Sequence, residues 1–118
     1  MSIIVPVFTY DCAMERMIDG DTFVANLSRD VGFNCRPTWR WRLRVSGIDC
    51  PEMRGASRVL GQAAREFAEA WLTAEPVAAE TLLQDSFGRW VAIIRRADGV
   101  LLADALVAAG HAVPWAKG

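Results

Sequence analysis

Trp39-Arg40-Trp41-Arg42-Leu43-Arg44-Val45-Ser46, continued by Gly47-Ile48-Asp49-Cys50-Pro51-Glu52, is the stretch around which this chain is organised. Its first half alternates apolar and polar residues strictly, the period-2 pattern of a strand with one buried face. Trp39, Trp41, Leu43 and Val45 are expected to face a core, and Arg40, Arg42, Arg44 and Ser46 to share the opposite face. Three guanidiniums along one strand face repel one another unless anions or solvent offset them. Gly47 permits a bend and Pro51 has no N–H for a ladder, so the strand is expected to end near Ile48. Two carboxylates, Asp49 and Glu52, stand at that end. Carboxylates beside a line of arginines suit a site that holds a cation and a phosphate together, and a cross-strand salt-bridge cluster is the alternative.

Upstream, Val5 to Met17 reads as a first strand, and Ile18-Asp19-Gly20-Asp21-Thr22 follows it. Asp-Gly between apolar segments is a hairpin signal because the turn needs positive φ, and Thr22 to Leu27 supplies the return strand. Asp19 and Asp21 then flank a tight turn, where such residues also occur for turn chemistry alone. Ser28 to Thr38, with Gly32, Asn34 and Pro37, reads as a loop into the arginine-lined strand, placed near a substrate cleft.

Downstream, Ser57 is a candidate N-cap for a helix running to about Thr73, with Leu60, Ala63, Ala64, Phe67, Ala68, Trp71 and Leu72 recurring at helical spacing. Pro76 stops it. Val77 to Gln84 and Trp90 to Arg95 read as strands joined by the turn Asp85-Ser86-Phe87-Gly88-Arg89. Leu101 to Ala109 reads as a second helix with Gly110 just beyond its end, and the tail from His111 carries no further pattern. Three strands, a helix, two strands and a helix predict a five-stranded Greek-key barrel of the OB-fold kind, in the α+β class.

The chain has 118 residues, 53% of them hydrophobic, which suits one domain, residues 1–118, with a core that needs no disulfide or metal staples. A net charge of −1 excludes a global basic field that would gather a polyanion, so any affinity for nucleic acid must be local. Cys12, Cys35 and Cys50 cannot all pair with one another and match no metal-knuckle spacing; reduced thiols are expected. No signal peptide or membrane span is visible, which favours a cytoplasmic setting, although a mature secreted form would read the same.

Taken together, Asp19-Gly20-Asp21-Thr22, Arg44 through Asp49-Cys50-Pro51-Glu52, and Phe87-Gly88-Arg89 resemble the staphylococcal nuclease, or thermonuclease, family. Its members carry an Asp-Gly-Asp-Thr turn, an Arg-x-x-Gly-Ile-Asp-x-Pro-Glu segment and a Tyr-Gly-Arg turn in this order. The Gly-Gln-x-Ala-Arg-x-Phe helix and the late Ala-Leu-Val-x-x-Gly helix agree as well, so the resemblance covers roughly Ile18 to Val113.

The resemblance implies a calcium-dependent phosphodiesterase that cleaves DNA and RNA, single strands preferred, to leave a 3′-phosphate. Asp21 and Asp49 match the family's ligand carboxylates, and Cys50 matches the position whose main-chain carbonyl completes the calcium site. Oxygen donors of this kind suit a hard cation. Asp19 matches a carboxylate behind the ligands that orders water. Glu52 matches the residue that positions or deprotonates the attacking water, and Arg44 and Arg89 match the pair that binds the equatorial phosphate oxygens as charge develops.

Phe87 replaces the usual Tyr, keeping an aromatic face for nucleic acid but losing a hydroxyl, and Ser86 stands where a Lys is frequent. The sequence also ends before the segment that forms a third helix in the best-known members, which implies weaker affinity for short nucleotides and a more open cleft. Arg40 and Arg42 lie about 7 Å apart from their strand neighbours on the same face, a spacing that would let them track a phosphate backbone, with structural pairing to acidic neighbours as the alternative. The tryptophans read mainly as core residues, Trp115 in the tail excepted, and the single histidine, His111, sits just past a helix end where a cation is favoured anyway. A nucleic acid partner, no membrane and a monomer are expected. The rival class is a barrel that binds single strands or a protein without chemistry.

Overall fold

The Asp-Gly turn closes a long hairpin. In the computed structural model, which describes residues 8–115, β1 (Phe8–Asp19) and β2 (Thr22–Ser28) pair antiparallel down to Asp19 opposite Thr22. Val5 to Val7, the expected start of the first strand, lies outside the described residues. β2 is buried along most of its length because it is paired on both sides, with β1 and with β3 (Thr38–Val45). β5 (Val77–Gln84) and β6 (Trp90–Arg96) form the second hairpin, and the strand order β1-β2-β3-β6-β5 closes on itself as a barrel. β1 and β5 join the hairpins over Phe8–Cys12 and Val77–Thr81, and the other closure is narrow: β3 and β6 run parallel and pair only over Leu43–Val45 and Trp90–Ala92.

The helix α1 (Arg58–Ala74) follows a single 3-10 turn, Gly55–Ser57, and buries Gly61, Ala64, Ala68, Trp71 and Leu72. Small residues at the first positions of that stripe let it sit close to the strands. A second helix, α2 (Leu102–Ala108), inserts Leu102 and Leu106, both fully buried, beside Phe23, Leu43, Val45 and Ile94. Two further short strands, β4 (Ile48–Asp49) and β7 (Val113–Pro114), pair with each other outside the barrel. Among the described residues no helix is long and apolar enough to cross a membrane.

The architecture is the expected barrel with two helices, and the departures are local. Trp39 and Trp41 do not enter the core; they are 40% and 39% exposed, because β3 extends past the start of β6 and its first half has no neighbour on that side. β3 stops at Val45 rather than near Ile48, since Gly47 takes φ +84° and turns the chain. Leu60 lies one position off the buried stripe of α1 and is exposed. Ser57 precedes α1 as expected, but its hydroxyl donates to the carbonyls of Glu52 and Arg54 instead of accepting from the helix. The 29–37 loop sits at the opposite end of the β2–β3 pair from Thr22 and Arg44, so it lies away from the carboxylates and not beside them. Val113–Pro114, in the stretch after His111 whose sequence carries no further pattern, form β7.

Candidate active site

Pairing of Thr22 with Arg44 sets the site, because it delivers the Gly20–Asp21 turn to the end of β3. The ladder continues by one bond, Val45 N–H to the Asp21 carbonyl at 2.8 Å, which holds Asp21 against β3. Asp21 is buried, as is Arg44, and Arg44 Nη1 lies 2.7 Å from Asp21 Oδ2. Its Nη2 donates to the Ile48 carbonyl at 2.9 Å and stands 3.6 Å from Asp49 Oδ1. The turn at Gly47 makes this possible by folding Ile48 and Asp49 back beside the guanidinium. Trp115 covers it, with its ring centre 5.2 Å from the guanidinium carbon and its N–H donating to the Gly47 carbonyl at 2.9 Å.

Asp21 is satisfied from three directions. Oδ2 accepts the Cys50 N–H at 2.8 Å in addition to its contact with Arg44, and Oδ1 accepts the Thr22 hydroxyl at 3.1 Å. Arg44 is less well served. Although Nη1 is close to Asp21, its N–H bonds are not aimed at the carboxylate, so Nη1 is a buried donor without a hydrogen bond. An unpaired buried donor on a cation costs free energy and marks where an anionic oxygen would be stabilised. That atom is the clearest chemical demand at the site.

Negative charge is concentrated around it. Burial first, then Asp21 and Glu52, raise the Asp19 carboxyl above its ordinary value, against a hydrogen bond from the Met53 N–H and the pull of Arg54. Burial, with Asp21, Asp49 and Asp19 adding to it against Arg44, pushes the Cys50 thiol up to about 12. Asp19 thus senses Asp21 and Glu52, and the Cys50 thiol senses Asp21, Asp49 and Asp19, with Arg44 inside and Arg54 on the rim. Glu52 is the most open of the group. Its side chain pairs with Arg54 Nε at 3.2 Å, and the two residues border a small cavity of about 200 Å³ with Asp19 and Met53. The Glu52 backbone is pinned by the Ser57 hydroxyl and by Gly61 of α1, where a Cβ would lie 2.3 Å from the Glu52 carbonyl oxygen.

Arg89 approaches from β6, whose Val91 is the Cα partner of Arg44. Its guanidinium is held by Asp85, Nε to Oδ2 at 2.7 Å, and lies 5.2 Å from the Phe87 ring centre. Asp85 also accepts the Phe87 and Arg89 N–H groups, and these bonds outweigh its burial to hold its carboxyl below the usual value. Arg40 and Arg42 differ. Arg40 is tied by its guanidinium to both oxygens of Glu15, whereas Arg42 makes no ion pair or hydrogen bond among the described residues. Arg42 borders a cavity of about 270 Å³ with Arg16, Trp41 and Phe87.

The structure therefore brings Asp21, Arg44, Asp49 and Cys50 into contact, sets Asp19 and Glu52 alongside, and keeps Arg89 and Phe87 on the neighbouring turn. The roles of Thr22 and Gly61 go unread in the sequence although both lie in its motifs, and Asp85 and the covering role of Trp115 carry no warning there beyond the Asp85 to Arg89 spacing. His111 packs on Phe67 with ring centres 5.0 Å apart and lines a shallow cavity beside Asp49 and Cys50.

For a cation, the donors are hard oxygens: Asp21, the exposed Asp49 and the Cys50 carbonyl, which suits calcium better than a soft metal. Among the described residues no three His, Cys, Asp or Glu side chains are grouped so as to hold a metal ion, and Asp21 and Asp49 both face Arg44. The chain matches, over residues 42–117, the family model described as staphylococcal nuclease homologue. That span includes Arg44, Asp49, Cys50, Glu52 and Arg89 and begins after the Asp19–Thr22 turn. No curated protein matches the chain.

Proposed function

Because the chain belongs to the staphylococcal nuclease family, we propose that it is a calcium-dependent nuclease that hydrolyses phosphodiester bonds in DNA and RNA and leaves 3′-phosphate ends. The observation that carries this reading is the buried Arg44 guanidinium, held between Asp21 and Asp49 with Nη1 ion-paired to Asp21 but not aligned for a hydrogen bond. A phosphate oxygen would complete its hydrogen bonding, and a guanidinium binds phosphate through two parallel N–H bonds.

Asp21, Asp49 and the Cys50 carbonyl would hold the calcium. When bound, the ion would offset the four-carboxylate excess and polarise the phosphate as a Lewis acid. Glu52, open to solvent beside Asp19, is the group that would take a proton from the attacking water. Arg44, and Arg89 once exchanged from Asp85, would stabilise the charge that builds on the equatorial oxygens. Thr22 and the Cys50 N–H orient Asp21, and an ion held there would share or displace the Arg44 contact with its Oδ2.

The test is hydrolysis of heat-denatured DNA and of RNA by the purified protein with calcium, with magnesium and with chelator, beside a Glu52→Gln variant. Cleavage that requires calcium and drops at least a hundredfold in the variant supports the reading. Nucleic acid bound but uncut under every metal would instead make the domain a binding barrel, in which Arg44–Asp21 and Arg89–Asp85 are permanent salt bridges.

A further inference from the structure

Where β3 outruns β6, the barrel wall opens into a cleft of about 610 Å³. Five aromatic rings line it: Phe8, Tyr10, Trp39, Trp41 and Trp90. Four of them form edge-to-face pairs, Tyr10 with Trp39 at 5.5 Å and Trp41 with Trp90 at 6.1 Å, in which one ring of each pair keeps both faces clear of its partner, while the Arg29 guanidinium lies 5.8 Å from the Phe8 ring centre. Phe8, Trp39 and Trp41 are each about two-fifths to one-half exposed. Aromatic surface of this kind is costly to leave in water, and edge-to-face pairs leave room for a further flat ring to stack.

The cleft is not isolated. Trp41 also borders the cavity that holds Arg16, Arg40 and Arg42 and ends at Phe87 and Gly88. Of those arginines, Arg42 has no acidic partner among the described residues, in a chain whose net charge is −1. From Arg44 at the candidate active site, β3 carries Arg42 and Arg40 outward on one face and Trp41 and Trp39 on the other over about 17 Å at the usual rise per strand residue, and Trp41, at the free edge of the strand, borders both cavities. One unpaired cation, Arg42, between a phosphate-binding arginine and a set of open aromatic rings suits a polyanion that carries flat rings at regular intervals. A polypeptide would find the rings but no use for the arginines, and a duplex would keep its bases stacked away from the cleft.

We infer that this cleft is a nucleobase-stacking subsite for the single-stranded continuation of the substrate, with Trp39 and Trp41 as its principal platforms and Arg42 as the phosphate contact that joins it to the Arg44 site. The inference rests on the nuclease reading for its choice of polymer and names the substrate class: an unpaired strand long enough to leave the active site along β3. An unpaired base is needed because stacking on a protein ring requires a free π face.

The experiment is tryptophan fluorescence titration of the full chain, in chelator so that nothing is cut, with a twelve-residue oligothymidylate and with an abasic oligomer of equal phosphate count. Base-dependent binding at least tenfold tighter than the abasic oligomer is expected. Trp39→Leu and Trp41→Leu, checked by thermal melting to be folded, should each shrink that preference to less than about threefold. Equal affinity of the two oligomers for the unmodified protein overturns the inference without recourse to any variant. So does a base preference that survives both substitutions, or a concentration-dependent dimer abolished by Trp39→Leu, which would give the cleft to a second copy. Hydrolysis is scored separately with calcium. Cleavage without base preference sinks only this subsite, whereas base preference lost in the tryptophan variants without cleavage sinks only the nuclease reading.

Discussion

Gly61→Ala sets two ordinary effects against each other, and the structure decides the sign. In an exposed helix the change from glycine to alanine stabilises by about 1 kcal/mol, through backbone entropy. At Gly61 the new Cβ would meet the Glu52 carbonyl oxygen at 2.3 Å, its carbon at 2.7 Å and the Pro51 carbonyl oxygen at 3.0 Å. All three are backbone atoms with no rotamer to yield, so α1 and the Pro51–Glu52 segment must part by about 1 Å to restore ordinary contact. Overpacking of this sort costs about 1–3 kcal/mol. Because the clash is with rigid groups its upper half applies, leaving a net loss of about 1–2 kcal/mol. Urea unfolding followed by tryptophan fluorescence reads this as a lower midpoint with unchanged slope. The same displacement moves Glu52, and a misplacement of about 1 Å in a positioned catalytic group costs on the order of a hundredfold in turnover. A Gly61→Ala protein more stable than the parent by about 1 kcal/mol, with full activity on denatured DNA, would refute the reasoning.

Other expectations follow from the same contacts. Arg44→Met strands the buried Asp21 carboxylate with only Cys50 N–H and the Thr22 hydroxyl, and should cost about 3 kcal/mol in urea unfolding at pH 7; a loss below 1 kcal/mol would show that Arg44 is not structurally engaged. Arg42→Ala should lower the salt slope of single-strand affinity by about one, while Arg40→Ala, already neutralised by Glu15, should change it by less than half as much. Burial pushes the Cys12 thiol up to about 12, from 9.0, so below pH 9 it is protonated in both folded and unfolded chains and its full contribution is present. Above pH 9 the unfolded chain ionises first, and stability should fall by up to about 1.4 kcal/mol per pH unit until the folded thiol titrates; Cys12→Ala should flatten that slope in alkaline unfolding curves. At pH 8 a thiol reagent should read exposed Cys35 quickly in the native protein, and Cys12 and Cys50 only after denaturation.

Much of this was legible because it depends on neighbours in the chain. The alternation of β3 and the small-residue stripe of α1 follow from the two side-chain periods, which act over a few residues. The hairpin lies where Asp19-Gly20 predicts it, but Gly20 does not take the positive φ expected of it and is needed instead because a Cβ there would lie 2.8 Å from the Ala64 Cβ of α1. The same alternation misplaced Trp39 and Trp41, since it reports which residues share a face but not how far the adjoining strand extends. It likewise put Arg40, Arg42 and Arg44 in one row, and only the partners separate them: Glu15 for Arg40, none among the described residues for Arg42, and Asp21 with Asp49 for Arg44.

By itself, then, the sequence determined the barrel, its two helices and the set of carboxylates and arginines gathered at its strand ends. Tertiary structure decided what each of them faces. Arg44 is buried because β4 and β7, drawn from distant parts of the chain, pair outside the barrel and lay Trp115 over it. Glu52 sits where α1 can approach only through Gly61, and the aromatic cleft exists because β3 and β6 meet over only three residue pairs. Contacts of this kind depend on register and closure between segments far apart in sequence, and no local pattern of residues encodes them.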